Sequence, residues 1–147
     1  VMKATILAIG KCKRGSPEAE IIGEYVKRSS WDVMIKEKDN ANQEDEARFL
    51  QDNIPPAAKV IVLDERGANM SSLDLAAKIE GWMLNGCSEV CFLIGGADGH
   101  LPSTRDKADL LLSFGKLTLP HMLMRAVLAE QIYRVQTIIS HHPYHRA

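Results

Sequence analysis

Val90-Cys91-Phe92-Leu93-Ile94 runs without a break into Gly95-Gly96-Ala97-Asp98-Gly99, and this junction decides the fold. A continuous apolar run of this length suits a strand covered on both faces of a parallel sheet. The glycines that follow let main-chain groups approach a ligand that any Cβ would hold off. Open α/β sheets bind ligands at that end of a strand. The spacing is G-G-x-x-G rather than the G-x-G-x-x-G of dinucleotide folds, and the lysine of a phosphate-binding P-loop is missing. A lone glycine here would signal an ordinary tight turn; three favour a nucleotide-like ligand held by backbone amides and carbonyls.

Outward from that strand, strands and helices alternate. Ala4–Ile9 reads as a strand ending at Gly10. Ser16-Pro17-Glu18 starts a helix to about Arg28, with a capping hydroxyl, a first-turn proline and an early carboxylate. Trp31–Glu37 alternates as a second strand. Asn42 opens a helix that stops before Pro55-Pro56, and Lys59–Asp64 is a third, continuously apolar strand. Ser71 or Ser72 caps a helix ending at Asn85-Gly86, where glycine can take the left-handed conformation. After the Glu89–Ile94 strand, the pattern predicts a short helix near Ser103–Leu112, a short strand at Lys116–Leu119 and a final helix over Pro120–Ser140. On that last helix Met124, Leu128, Ile132, Val135 and Ile139 form one apolar stripe, widened by Leu123 and Val127. A stripe this wide points to a two-fold interface between copies of the chain. Glu130 and Arg134 stand one turn apart and can pair. The fold class is α/β, with a mostly parallel sheet and helices on both faces.

Composition sets bounds on function. With 147 residues, one domain over residues 1–147 is expected. No apolar run approaches the roughly 18 residues that span a bilayer, so no membrane partner is expected. The first apolar stretch is too short for a signal peptide, and Val1 ahead of Met2 reads as an added residue. Cys12, Cys87 and Cys91 form no disulfide framework, which favours a reducing, cytoplasmic setting. A net charge of −1 argues against coating nucleic acid by bulk electrostatics, while leaving room for a local patch. Lys11, Lys13, Arg14, Lys27, Arg28 and Arg146 are the candidates for such a patch. Trp31 and Trp82 read as packing residues.

The chain closes on His141-His142-Pro143-Tyr144-His145-Arg146. These residues carry protonatable and cationic groups with no apolar face to bury, which suggests a mobile, substrate-gripping or catalytic end. Zinc sites draw ligands from separated rigid segments, and no cysteine lies near, so no metal site is expected.

Taken in order, Leu93-Ile94-Gly95-Gly96-x-x-Gly99, Leu117-Thr118-Leu119-Pro120-His121, Arg125-x-x-x-x-Glu130-Gln131-x-Tyr133-Arg134 and His142-Pro143-Tyr144-His145-Arg146 resemble the RlmH family, with Leu63-Asp64-x-x-Gly67 and Trp82 also in place. These are small SPOUT-class methyltransferases that modify pseudouridine in large-subunit (23S) ribosomal RNA. The loop reads Ala97-Asp98 where the family commonly has Pro-Glu, and the match is diffuse before Val60. The resemblance implies a C-terminal trefoil knot, a homodimer and S-adenosylmethionine held in the knot loops. It implies methylation of pseudouridine N3 on ribosomes, with a tail that completes the partner's site. Carried over by position, cofactor contacts fall on Leu63, Gly95, Gly96, Phe114, Gly115, Lys116, Leu117, Thr118 and Leu119. Catalytic or substrate-gripping roles fall on His142, Tyr144, His145 and Arg146.

Overall fold

The structure, a computed structural model, describes residues 2–146; Val1, expected to be an added residue, lies outside the described residues. Five strands, β1 (Lys3–Ile9), β2 (Asp32–Lys38), β3 (Lys59–Asn69), β4 (Glu89–Ile94) and β5 (Leu110–Ser113), form one parallel sheet in the order β2-β1-β4-β3-β5. The helices are α1 (Pro17–Arg28), α2 (Gln43–Asp52), α3 (Ser72–Leu84), α4 (Pro102–Arg105) and α5 (His121–Ile139). The central strands β1 and β4 pair in register from Lys3↔Glu89 to Ala8↔Ile94. Their neighbours cover both sides, so the β4 run Val90–Ile94 is fully buried, as its unbroken hydrophobicity implies.

Alternation along the strands divides the core in two. Ala4, Ile6, Ala8, Ile61, Leu63, Phe92 and Ile94 face one side, where they meet Leu75 and Ile79 of α3 and Leu128, Ile132 and Val135 of α5. Leu7, Ile9, Val60, Val62, Cys91 and Leu93 face the other, against Leu50 and Phe49 of α2. Trp31 and Trp82 pack against the first cluster. The wide apolar face of α5 is covered within the chain: α1 and α3 flank it on either side and the sheet lies beneath. Leu123 alone of that face is exposed, at 42%. The width of the stripe is therefore explained without a second copy.

Helix ends follow the sequence closely. Ser16, Asn42 and Ser71 accept hydrogen bonds from Ala19, Asp45 and Asp74 amides. At the end of α3, Gly86 takes a φ of +94°, and the Cys87 amide returns to the Trp82 carbonyl.

Two expectations fail in one segment. The helix expected near Ser103–Leu112 shrinks to the four residues of α4, and Leu110–Ser113 is a strand. The run Leu110-Leu111-Leu112 has no period of its own, so an available sheet edge decides its state. Asp109 provides the splice: its amide donates to the Val60 carbonyl, and its carboxylate accepts from the Val60 amide, both at 2.8 Å. With the edge occupied there, Lys116–Leu119 is not a strand but an irregular loop, and Leu117 is 85% exposed. The strand β3 also runs past Asp64 to Asn69. Residues 64–67 bulge out, because both Leu63 and Ala68 pair with Leu112.

Candidate functional site

A cleft of about 990 Å³ opens over the C-terminal ends of β3, β4 and β5. Parallel strands all deliver their following loops to this edge, so three loops converge there. They are the β3 bulge after Leu63, the glycine loop Gly95–Gly99, and the segment from Phe114 to Leu119; the first turn of α5 adds His121 and Met124. Every residue assigned to the cofactor, from Leu63 through Gly95 and Gly96 to Phe114, Gly115, Lys116, Leu117, Thr118 and Leu119, lines this cleft. Gly115 turns the chain with a φ of +115°. Among the described residues, the backbone groups of Lys116–Leu119 have no hydrogen-bond partner in the protein.

The glycines of the loop have a packing role that the sequence did not show. A Cβ on Gly95 would lie 3.0 Å from the ring of His100, and one on Gly96 only 2.8 Å from Oε1 of Glu46. Both buried side chains pack against the loop, and His100 also lines the cleft. His100 Nε2 sits 3.1 Å from the Leu63 carbonyl and donates to it, tying the β3 exit to the glycine loop. Its Nδ1 is buried without a partner. Burial pulls the His100 pKa down, against the opposing charge of Asp64. His100 is therefore a neutral ring at neutral pH. Asp64 in turn pairs with Arg66 and Arg105, and Arg105 donates to the His100 carbonyl at 2.6 Å.

Beside the cleft, Arg125 of α5 is 1% exposed. Its Nη2 donates to the Ile9 and Gly10 carbonyls at 3.1 and 3.0 Å, and its Nη1 to Glu37. The same Glu37 oxygen accepts from the Cys12 amide at 2.8 Å. Burial lowers the guanidinium's pKa, and Glu37 opposes the shift. Neither His100 nor Arg125 was singled out by chemistry in the sequence. The signal for Arg125 was a charge at helical spacing with Leu128, Ala129 and Ile132 on the buried face.

The tail does not enter the cleft of its own chain. Helix α5 ends in a Schellman turn: His141 takes a φ of +60°, its amide donates to Ile138, and the His142 amide donates to Thr137. The stop thus comes before Pro143, and the chain reverses onto the flank of α5. Tyr144 donates a 2.6 Å hydrogen bond to Glu130 and packs edge-on against Tyr133, with Arg134 over its ring. Arg134 grips Glu130, at 2.7 Å from Nη2, and donates to His145 Nδ1 at 3.0 Å. Since arginine can only donate, Nδ1 of His145 is the acceptor in this contact; its Nε2 is buried without a partner. Burial and the bond to Glu130 raise the Tyr144 pKa. Glu130 is held below its usual range: burial works the other way, and the bonds from Arg134, Tyr144 and Gln131 outweigh it. The tail is hence a clamped strap through Tyr144 and His145, while His142 and Arg146 stay exposed. The expected Glu130–Arg134 pair is present and serves as its anchor.

Residues 2–145 match the family model described as "Predicted SPOUT methyltransferase". A "Ribosomal RNA large subunit methyltransferase H" of Paramagnetospirillum magneticum is 45% identical over 152 aligned positions, covering 99% of either chain. Its namesake in Mesorhizobium japonicum is 44% identical, covering 99% of this chain and all of that protein. Among solved structures, a probable methylase family protein of Haemophilus influenzae superposes with a TM-score of 0.58 at 8% identity, over 98% of this chain and 70% of that one. A probable rRNA-methyltransferase of Porphyromonas gingivalis gives 0.53 at 15% identity, over 94% and 70%. The structural likenesses bear on the fold alone.

Proposed function

Because this chain belongs to the SPOUT methyltransferase family, and within it to the ribosomal RNA large subunit methyltransferase H proteins, we propose that it methylates N3 of a pseudouridine in 23S ribosomal RNA. The donor in this reading is S-adenosylmethionine. One observation carries it: a large cleft walled by backbone stands at the C-terminal edge of the sheet in a chain matched end to end by these relatives. At about 990 Å³ it lies at the upper end of the roughly 300–1,000 Å³ typical of small-molecule sites. Its donor set also fits. Free amides and carbonyls along Lys116–Leu119 suit the edge of a neutral base, and the Gly95–Gly96 turn carries no phosphate-binding lysine.

When bound, the cofactor supplies an activated methyl on a sulfonium: the ring nitrogen gains the carbon as the carbon–sulfur bond breaks, and the nitrogen's proton must leave. The chain's own contribution is alignment, with the proton released from the nitrogen taken up by solvent water. Leu63, Gly95 and the Phe114–Leu119 segment hold the donor, and His100 fixes the spacing between the first two, so that the methyl faces one direction. Tyr144 is a poor base, since its proton is committed to Glu130 and its pKa is raised. Arg146, exposed at the end of the strap, suits a phosphate or a developing negative charge.

The strap also bears on assembly. None of His142, Tyr144, His145 or Arg146 lines the cleft of the chain that carries them. This supports a homodimer in which each tail completes the partner's cleft. The trefoil knot and a cytoplasmic location belong to the same reading; among the described residues no helix is long and apolar enough to cross a membrane.

The test is transfer of labelled methyl from S-adenosylmethionine to ribosomes, with the product nucleoside located by mass spectrometry. Label in N3-methylpseudouridine supports the reading. Cofactor or nucleotide binding without transfer would leave a binding module, and label in transfer RNA would move the substrate. For the shared site, subunits lacking Tyr144–Ala147 are mixed with subunits carrying Gly95→Val. Partial recovery of activity is expected, and heterodimers without recovery would exclude sharing.

A further inference from the structure

Resting on that reading, we propose that the loop Lys11–Arg14 is the RNA-docking surface, its cations gripping phosphates beside the target nucleotide while the part-buried Arg125–Glu37 pair holds the loop in place. Three of its four side chains are cationic, and Lys11, Lys13 and Arg14 are all exposed. The chain as a whole carries a net charge of −1, so this concentration of charge is local. Lys11 has one partner, Asp39 at 3.6 Å, with both side chains mostly in water. Among the described residues neither Lys13 nor Arg14 pairs with a carboxylate.

Location gives the patch its meaning. Register places Ala8 of β1 beside Ile94 of β4, so the chain leaving β1 emerges next to the glycine loop. A Cβ on Gly10 would lie 3.4 Å from Met122, between the cleft residues His121 and Met124. The loop that carries the cations thus leaves the sheet beside the glycine loop and against the first turn of α5, two elements that line the cleft. Lys27 and Arg28, the other sequence candidates, are elsewhere: α1 ends at the opposite edge of the sheet, where the Asp32 amide bonds to Met2.

The support beneath the loop is the second observation. Arg125 is buried and the Glu37 side chain 27% exposed; such a pair adds little net stability compared with apolar packing, and its clearest use is to impose register. Here Arg125 holds the Ile9 and Gly10 carbonyls, and Glu37 takes the Cys12 amide. The backbone on both sides of Lys11 is pinned, while its side chains are left free. A flexible basic tail would grip phosphates equally well without such a support. A pinned one fixes where they lie relative to the methyl.

The experiment uses full-length protein and ribosomes as methyl acceptor. Lys11→Ala/Lys13→Ala/Arg14→Ala is compared with the control Lys3→Ala/Lys78→Ala, which removes exposed lysines away from the cleft. Three phosphate contacts make affinity fall about 40-fold further between roughly 50 and 200 mM salt, from a slope near 0.9 per contact. The triple variant should lose that part of the salt dependence and show a KM for ribosomes raised at least about tenfold, with kcat and S-adenosylmethionine affinity unchanged. The control should match the wild type. Glu37→Gln, which keeps an acceptor for Cys12 but loses the charge, should raise KM in the same sense without changing the salt slope. A triple variant with wild-type KM and salt slope overturns the docking surface while leaving the methyltransferase reading intact. Absence of methyl transfer by the wild type overturns both.

Discussion

Gly67→Ala tests whether the wall of the cleft depends on the β3 bulge. An added Cβ would stand 2.6 Å from both the amide nitrogen and the carbonyl carbon of Leu112, and 2.7 Å from the carbonyl carbon of Leu111. All three atoms are backbone, so no side chain can rotate away. Either the bulge or β5 must move. The pairs at risk are Ala68↔Leu112 and Asn69↔Ser113, and Leu112 is itself 2% exposed. Overpacking of this kind costs about 1–3 kcal/mol, and each ladder hydrogen bond lost adds about 1 kcal/mol. A loss of roughly 2–3 kcal/mol follows, or a fall in Tm of about 5–10 °C for a chain of this size. Because β5 leads directly into Phe114 and Gly115, S-adenosylmethionine affinity should also drop by at least about fivefold, near 1 kcal/mol. Circular dichroism melts and titration calorimetry read the two effects. The helical glycines Gly23 and Gly81, with nothing within 4 Å of an added Cβ, supply the contrast. Alanine at either should stabilise by about 0.5–1 kcal/mol. A Gly67→Ala protein that melts with the wild type and binds the cofactor equally well would refute the reasoning.

Gly95→Ala should weaken cofactor binding, and the double change Gly95→Ala/His100→Ala separates two causes. Recovery in the double variant would assign the loss to the His100 ring packed against the loop, and persistent loss to the ligand side. Glu130 has a folded-state pKa below its ordinary value of 4.5, so its contribution is present above that pH and disappears as pH falls through the depressed value. Glu130→Gln should therefore flatten the acid limb of the stability profile, and an unchanged limb would count against the clamp. Tyr144→Phe should cost about 1.5 kcal/mol, the low end for a bond to a charged group, since Arg134 still satisfies Glu130; chemical denaturation measures it. Burial pushes the Cys91 thiol up to about 12, so alkylation at pH 8 should label Cys12 and Cys87 well before Cys91. Equal rates would contradict its place in the core.

The elements that sequence placed correctly are those whose signals are local. Caps at Ser16, Asn42 and Ser71 need only their own amides three residues on, and the Val90–Ile94 run is apolar enough to demand cover on both faces. The failure came where a decision was made at a distance. Leu110–Leu112 becomes a strand because the β3 edge, some fifty residues earlier, offers Ile61, Val62 and Leu63 as partners, with Val60 held by Asp109 just before them. The Leu117-Thr118-Leu119 alternation, conversely, looks like a strand, but the β3 edge is already taken by β5. It remains at the cleft with unpaired backbone, which is what a site built from main chain requires.

The candidate site shows the same division. The glycine loop announces itself, but its pattern does not reveal that Gly95 and Gly96 make room for His100 and Glu46. Those two lie outside the motif, and only the fold brings them against it. The tail was misjudged for a related reason. Its lack of an apolar stripe suggested a loose end, yet an aromatic and a histidine can be held by one half-buried carboxylate and its arginine on the preceding helix. Glu130 with Arg134 and Tyr133 makes that hold. From Glu130 back to Met124, the nearer cleft residue of α5, is six helical residues, about 9 Å, and the clamp holds the strap at that remove along the helix. A catalytic role for Tyr144–Arg146 then requires either that the clamp opens or that a second cleft is brought to the strap. The first would cost the whole Glu130 network at each turnover. The second leaves it intact, and therefore accounts for both the strap's rigidity and its distance.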